Sequence, residues 1–171
     1  MTARVKNKNE TVEAEAVDAA AAMRATASLV GRIVVFRLAG QRYGLPIESV
    51  QEIQQIVAFS EVPGGSDIII GMVNLRGAVI PALDIRRLVG LEREEYHVDT
   101  PMIICRLDGD TVALLVDEVE DVVVLPEDCM VAPPKLHALS DKMIGVCRLE
   151  ENLVFLLDVD RLIAPVDLEV G

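Results

Sequence analysis

Residues 34–53 of this chain, VVFRLAGQRYGLPIESVQEI, recur without gaps as residues 103–122, IICRLDGDTVALLVDEVEDV. A second pair follows in the same order, because residues 70–89, IGMVNLRGAVIPALDIRRLV, match residues 144–163, IGVCRLEENLVFLLDVDRLI. Identical positions include Arg37/Arg106, Leu38/Leu107, Gly40/Gly109, Leu45/Leu114, Val50/Val119, Ile70/Ile144, Gly71/Gly145, Leu75/Leu149, Leu83/Leu157, Asp84/Asp158, Arg87/Arg161 and Leu88/Leu162. Chance leaves roughly one or two identities in a window of about twenty residues. The chain therefore contains one small unit used twice.

Each copy begins with a predicted β-hairpin. Two apolar runs flank a short polar turn, at residues 39–42 in the first copy and 108–111 in the second. Each turn carries a glycine that can take positive φ, which is typical of hairpins. The second segment of each copy also opens as a hairpin, with its turn around Arg76 or Glu150.

The end of each copy predicts a short helix instead of another strand. Residues 84–89 and 158–163 both start on an aspartate, which is a favoured N-cap residue, and both carry a leucine four positions later. One or two helical turns fit each stretch. Two copies are too few for a long solenoid, so we expect two similar subdomains, over about residues 31–99 and 100–165, that make one compact domain over residues 31–171 and possibly exchange strands.

The composition supports an all-β fold with short helices. The chain has 171 residues, of which 51% are hydrophobic and 3% aromatic, so Leu, Ile and Val must fill the core. The apolar residues come in bursts of four to six that Gly and Pro interrupt, which favours short buried strands over long helices. No run approaches the roughly 18 apolar residues of a membrane span, and no signal peptide is recognisable. These features predict a soluble, cytoplasmic protein.

The charge of the chain is uneven. Residues 1–30 carry four basic and four acidic side chains, residues 31–99 carry 7 and 9, and residues 100–171 carry 5 and 15. Nucleic acid and anionic membranes both require clustered Lys and Arg, so neither is expected as a partner. Acidic side chains often serve solubility alone. Four of them can form a rim for a partner with a basic patch, namely Asp117, Glu118, Glu120 and Asp121.

Residues that could support catalysis or bind a metal are scarce. The two histidines, His97 and His137, lie in predicted loops without supporting ligand or triad spacing. The sequence has neither GxxxxGK[ST] nor GxGxxG. Cys105, Cys129 and Cys147 are an odd number of cysteines without CxxC spacing, which favours a role as small core side chains. We therefore expect no enzyme, no cofactor and no metal.

The first 30 residues lie outside the repeat. Eight of the twenty residues 11–30 are alanine, and the larger apolar side chains do not recur at helical spacing over more than a turn. A frayed helix or a mobile tail is the default interpretation. We predict that deletion of these residues leaves the melting temperature within a couple of degrees, since about 1 kcal/mol moves a domain of this size by roughly 2–4 °C.

The two copies differ most usefully at the turn of the second hairpin. The first copy reads NLRG at residues 74–77, and the second reads RLEE at residues 148–151. A cation beside a glycine is replaced by two anions. Hairpin tips are exposed and vary freely, but a position that the fold leaves free can also serve a partner.

These strings resemble the CheW family of chemotaxis coupling proteins. The resemblance rests on IIIGMVNLRGAVIPALDIRRLVG, with VVFRLAGQRYGLPIESVQEI upstream and GDTVALLVDEVEDVVVLP downstream, and covers about residues 31–165. The same module forms the regulatory domain of the chemotaxis histidine kinase CheA. The resemblance implies two five-stranded, SH3-like β-barrels around a shared hydrophobic core, and an adaptor role without catalysis.

The resemblance also implies partners and sites. Family members bridge the cytoplasmic tips of chemoreceptors to the CheA regulatory domain, in arrays at the inner face of the membrane. The implied receptor and kinase-coupling surface comprises Val50, Glu52, Gly71, Asn74, Arg76 and Gly77. The implied contact of the second subdomain with the kinase regulatory domain comprises Asp117, Val119, Asp121 and Val122.

Two alternatives stay open. CheW-like proteins also serve receptor–kinase arrays that control pili or development, and the sequence does not separate these outputs from flagellar control. A regulatory module detached from a kinase is the second, although the chain has no ATP-site motif.

Overall fold

The computed structural model describes residues 8–55, 60, 66–92, 94–132 and 138–168. Within them the chain forms eleven strands and three α-helices, joined by short turns and two 3₁₀ turns at Ile47–Ser49 and Ser140–Lys142. The strands are β1 (Arg32–Leu38), β2 (Gln41–Pro46), β3 (Val50–Gln55), β4 (Ile69–Leu75), β5 (Ala78–Asp84), β6 (Pro101–Arg106), β7 (Thr111–Leu115), β8 (Glu118–Val124), β9 (Met130–Val131), β10 (Met143–Leu149) and β11 (Asn152–Leu157). The helices are α1 (Lys8–Val30), α2 (Ile85–Leu88) and α3 (Val159–Ile163).

The strands form two sheets, and each sheet mixes the two copies. The six-stranded sheet has the order β8-β1-β2-β11-β10-β9, and the five-stranded sheet has the order β3-β6-β7-β5-β4. The first hairpin of one copy thus pairs with the remaining strands of the other. The junctions are parallel pairs, β2 with β11 and β5 with β7, whereas all other pairs are antiparallel. The two sheets are the two SH3-like barrels that the resemblance implies, with the two-residue β9 as an addition.

Three clusters of buried side chains hold this arrangement together. One belongs to the five-stranded sheet and contains Val73 and Met102, and a second belongs to the six-stranded sheet and contains Ile33 and Leu156. The third draws side chains from both sheets, α2 and α3, and includes Phe36. The first hairpins are buried on both faces, because they form the wall between a sheet's own core and the shared one. This explains why their sequences are continuous apolar runs.

The predicted turns and helices are confirmed. β1 and β2 are joined by the two residues Ala39 and Gly40, both with positive φ, as a tight hairpin requires. Asp84 caps α2 by accepting a hydrogen bond from the backbone N–H of Arg86 at 3.0 Å, and Asp158 caps α3 through Arg161 at 3.1 Å. The mostly β fold with brief helices at these two places is therefore what the sequence predicted.

The N-terminal segment has a more definite structure than the sequence suggested. Residues 8–30 form the helix α1, and residues 1–7 lie outside the described part. Among the described side chains of α1, those that pack on the six-stranded sheet lie in its last turns, where Ala27 is fully buried. Its alanine content explains how such a helix forms with so little tertiary packing, since alanine has the highest helix propensity. That the segment is dispensable for folding stays a prediction.

The cysteines are buried, as the sequence predicted, but the pairing of two of them was not predicted. Cys105 is free and buried in the shared core. Cys129 and Cys147 are also buried, and they are joined by a disulfide. Their separation of 18 residues gave no sign of this pairing, because only the fold brings the segment before β9 beside β10.

Candidate functional site

The turn between β4 and β5 holds Arg76 on a rigid base. Arg76 and Gly77 have φ values of 52° and 88°, which is the backbone of a two-residue hairpin turn with positive φ twice. The N–H of Gly77 donates to Oδ1 of Asn74 at 2.9 Å. Asn74 therefore fixes the turn, while 74% of the Arg76 side chain is exposed. The predicted residues Asn74, Arg76 and Gly77 form one local unit, in which two position the third.

Glu52 completes this unit from the opposite edge of the five-stranded sheet. Nη2 of Arg76 lies 3.0 Å from Oε2 of Glu52, and Nε2 of Gln54 donates to Oε1 of the same carboxylate. β3 and β4 are the two edge strands of this sheet, so the ion pair links its edges. An ion pair with so exposed a partner adds at most about 1 kcal/mol to stability. Its main effect is to restrict the directions that the guanidinium can take.

Val50 and Gly71, the other two residues of this predicted surface, are more structural. Val50 packs partly against the shared core, and a bulge in the pairing of β3 with β6 separates it from Glu52. Gly71 is buried at the start of β4, where the pairing with β5 also shifts register. The exposed part of this site therefore centres on the turn and not on these two positions.

The carboxylate of Asp117 makes hydrogen bonds within the protein. It lies where the chain crosses from β7 in the five-stranded sheet to β8 in the six-stranded sheet. Its carboxylate accepts two hydrogen bonds from the guanidinium of Arg86, one of them at 3.0 Å from Nε, and one from the backbone N–H of Ala39 at 2.8 Å. It therefore ties α2 to the β1–β2 turn of the other sheet.

Arg86 is the residue that sequence reasoning missed in this region. Only 6% of its side chain is exposed, and it also contacts Glu94 at 3.2 Å. The hydrogen bond to Asp117 raises the pKa of the Arg86 guanidinium, against the opposing effect of burial. The sequence did carry a signal, because the counterpart of Arg86 in the second copy is Asp160.

The other predicted residues on β8 fall into two groups. Val119 packs partly against the shared core. Val122 is 44% exposed, and Asp121 is exposed beside it, with its Oδ1 accepting the N–H of Val122 at 2.7 Å. β8 is an edge strand, so this apolar and acidic surface is open to a partner.

The acidic rim predicted along residues 117–121 is divided in the same way. Glu118 and Asp121 are exposed. Glu120 has a side chain only 18% exposed and lies between Arg37 and Arg42, whose Nε atom is 3.0 Å away. These arginines are directly opposed across β1 and β2, so Glu120 offsets a repulsion within the sheet. Two of the four acids are thus engaged internally.

A cavity of about 210 Å³ lies beside α2. Asp84 and Arg86 line it, and the hydroxyl of Tyr96 donates to Oδ2 of Asp84. Asp84, Arg86 and Tyr96 are therefore hydrogen-bonded to partners within the protein.

The histidines show no catalytic arrangement in the part of the chain that can be described. The backbone N–H of His97 donates to Oγ1 of Thr100, and His137 lies outside the described residues. Within those residues no group of three His, Cys, Asp or Glu side chains is placed to hold a metal ion. Over the same range no helix has the length and apolarity to cross a membrane.

Comparison with known proteins adds a family and a fold. The CheW-like domain family matches residues 32–166. The chemotaxis protein CheW of Bacillus subtilis is 28% identical over 134 residues, which cover 77% of this chain and 86% of that protein. The protein PilI of Pseudomonas aeruginosa is 27% identical over 123 residues, covering 70% and 69% of the two chains. The crystal structure of the scaffolding protein TtCheW from Thermoanaerobacter tengcongensis is 27% identical, with a TM-score of 0.74 over 82% of this chain and 97% of that one.

Proposed function

The chain belongs to the CheW family, whose members are chemotaxis scaffold proteins, and from this we propose that it couples chemoreceptor cytoplasmic tips to a CheA-type histidine kinase. The role is that of an adaptor in the cytoplasm, recruited to receptor arrays, without a catalytic step or a cofactor. One observation locates the proposed site. The side chain of Arg76 is exposed on a tight turn and oriented by its ion pair with Glu52, whereas its repeat counterpart, Glu150, is acidic.

The receptor contact is proposed at the Arg76 turn. An exposed guanidinium with one edge held by Glu52 can present its remaining donors to carboxylate or carbonyl oxygens at a helical hairpin tip. Val79, two residues beyond Gly77, is 62% exposed and offers an apolar contact beside the charge. An anchoring arginine with an adjacent apolar contact is a common arrangement in protein interfaces.

The contact with the kinase regulatory domain is proposed along β8. The edge strand offers Val122 with Asp121 and Glu118 around it, which suits a partner surface with an apolar centre and basic rim. Val119 supports this strand from the core side. Asp117 contributes through the position of the crossover, because its carboxylate is already bonded to Arg86 and Ala39.

A second output stays open as an alternative. The chain would then serve an array that controls pili or development instead of flagella. The same adaptor chemistry would serve there, as it would in a detached regulatory module of the kinase. Copurification from the native cell separates these possibilities, because it identifies the receptor and the kinase that this chain retains.

The decisive experiment for the proposed site is a reversal of Arg76 with its repeat counterpart as control. We expect Arg76→Glu to weaken receptor binding by about 2–5 kcal/mol if the contact is desolvated, since a charge-assisted hydrogen bond is replaced by repulsion. Its unfolding free energy should change by no more than about 1 kcal/mol, because only an exposed ion pair is lost. Glu150→Arg should leave receptor binding unchanged. The measurements are receptor copurification and kinase activation in a reconstituted mixture, with melting curves for each variant.

A charge swap separates a partner contact from an internal one. In the double variant Glu52→Arg, Arg76→Glu, the internal ion pair is restored with its polarity reversed. If Arg76 touches the receptor, the double variant stays defective. Recovery of binding in the double variant would show that the pair matters only for the shape of the turn, and normal coupling by Arg76→Glu would remove the arginine from the mechanism.

A further inference from the structure

The helix α1 is an addition to the family domain, which begins at residue 32. Its side chains are exposed from Glu15 to Ala22, and Val17 is 68% exposed. Near its end Met23 and Thr26 are half-buried and Ala27 is 1% exposed. Among the side chains of α1 that the structure describes, contact with the sheet is confined to the last two turns, so a small loss of contact there would favour release of the helix.

The end of α1 docks on a buried cluster, called the seat, which contains the disulfide. Ala27 belongs to the same buried cluster as Leu125, Cys129 and Cys147, inside the six-stranded sheet. Two backbone hydrogen bonds run through this seat: the N–H of Gly31 donates to Ala27 at 2.9 Å, and the N–H of Leu125 donates to Gly31 at 2.8 Å. The end of the helix is thus bonded to the segment that leads to Cys129.

The disulfide fastens a weakly held part of this seat. Cys129 immediately precedes β9, a two-residue edge strand that pairs with β10 at only two positions. The N–H of Arg148 donates to the carbonyl of Cys129 at 2.8 Å, and the Cα atoms of the two cysteines are 5.0 Å apart, a normal spacing for a disulfide. Cys129 and Cys147 are 4% and 0% exposed, so a reductant must wait for a local opening.

We propose that the Cys129–Cys147 disulfide is a reversible redox bridge whose state is coupled to the docking of α1. On oxidation the two thiols give two electrons and two protons to a low-molecular-weight disulfide, such as oxidised glutathione. The Sγ–Sγ bond forms, the glutathione disulfide bond breaks, and two glutathione thiols leave. The bridge fixes the segment 125–131 under Ala27, and the docked helix in turn shields the bridge from reduction.

Thermodynamic linkage requires this coupling to be reciprocal. If the bridge favours docking, then docking favours the bridge by the same factor. Cys105 is not part of the bridge, because it lies in the shared core and burial raises the pKa of its thiol to about 12. It serves as an internal reference in a count of thiols.

The bridge itself is tested on the full chain in glutathione buffers of graded ratio. Samples are acid-quenched, unfolded and alkylated, and the adducts are counted by mass. We expect three adducts in reducing buffer and one, on Cys105, in oxidising buffer. Three adducts in every buffer, or a lasting glutathione adduct on either cysteine, would overturn the proposal.

The coupling is tested with two substitutions of the same type on the same helix. Ala27→Glu places a charge in the seat, whereas Ala20→Glu places it on the exposed part of α1. We expect Ala27→Glu to shift the dithiol–disulfide equilibrium in glutathione buffer toward the reduced form by about tenfold, a usual size for coupling between sites. Ala20→Glu should keep the equilibrium of the unmodified chain. Equal equilibria for Ala27→Glu and the unmodified chain would overturn the coupling.

Hydrogen exchange on the unmodified chain gives the reciprocal measurement and needs no variant. Reduction should speed exchange of the amides in residues 23–31 and leave those of β6, on the other sheet, unchanged. If exchange in residues 23–31 is the same in both redox states, the helix is not coupled to the bridge, whatever the variants do.

Discussion

The second hairpins of the two copies share a positive φ at the first turn residue and differ in charge. At their turns Arg76 and Glu150 both take positive φ, at 52° and 54°. Two positions beyond each turn pair, Val79 and Leu153 are both exposed apolar residues. Arg76 pairs with Glu52, while the counterparts of these two residues, Glu150 and Asp121, are both acidic.

This comparison separates what the fold needs from what it leaves free. The fold needs a tight turn at both places and keeps it. It does not need the ion pair, because one copy lacks the charges to make one. The charge at residue 76 is therefore available for a partner, and the same logic applies wherever the copies agree in backbone and disagree in side chain.

The largest expected effect tests whether the shared core is as asymmetric as the turns. Phe36 and its counterpart Cys105 are both fully buried in the shared core. We expect Phe36→Ala to lower the unfolding free energy by about 3–5 kcal/mol, because it leaves a large cavity, and Cys105→Ala to lower it by only about 1 kcal/mol. Denaturant melts of both variants measure this. Equal losses would mean that the core relaxes around Phe36 and that the two halves are interchangeable.

A smaller effect is expected at the crossover between the sheets. Arg86→Ala should cost about 2–3 kcal/mol, less than the roughly 3–5 kcal/mol for breaking a fully buried pair, because Asp117 retains the N–H of Ala39 and some solvent contact. Its counterpart Asp160 is exposed, and Asp160→Ala should change stability by less than about 0.5 kcal/mol. Thermal melts of the two variants decide it. A cost below 1 kcal/mol for Arg86→Ala would show that the pair does not hold the sheets together.

Much of the fold was predictable because it depends on local chemistry. Polar turns with glycine predicted the hairpins, and Asp84 and Asp158 predicted the helix starts, since both signals act within a few residues. The order of strands in the sheets was not predictable. The copies are so alike that a first hairpin fits either set of remaining strands, and only packing over the whole domain selects the exchange.

Less of the candidate site than of the fold was predictable from the sequence. Asn74, Arg76 and Gly77 lie within four residues, so the turn could be predicted from sequence. The pair of Arg76 with Glu52 joins opposite edges of a sheet, and the pair of Arg86 with Asp117 joins two elements 31 residues apart. The disulfide has the same character. Contacts of this kind are set by topology, and a single sequence carries no direct sign of them.

The smallest expected effect tests the positive φ that Arg76 and Glu150 share. Positive φ costs a non-glycine residue roughly 1–2 kcal/mol, so substitution by glycine removes that strain. Part of this stabilisation is lost again, because glycine has more conformational freedom in the unfolded chain. We therefore expect Glu150→Gly to raise the unfolding free energy by about 0.5–1 kcal/mol. Arg76→Gly should leave it nearly unchanged, because the same gain is offset by loss of the ion pair with Glu52, worth at most about 1 kcal/mol. Glu151 is not among the positive-φ residues of the described chain, so Glu151→Gly should instead destabilise the protein by about 0.5–1 kcal/mol. Denaturant melts of the three variants test the sign at each position.

The same variants separate stability from function. Arg76→Gly should be about as stable as the unmodified chain and yet bind receptor poorly, whereas Glu150→Gly should be more stable and bind normally. That opposition would show that the first copy keeps an arginine at a strained position for the sake of a partner, since the backbone alone would favour glycine. If Arg76→Gly binds receptor as well as the unmodified chain, the difference in charge between the two hairpins has no role in coupling, and only their common backbone matters.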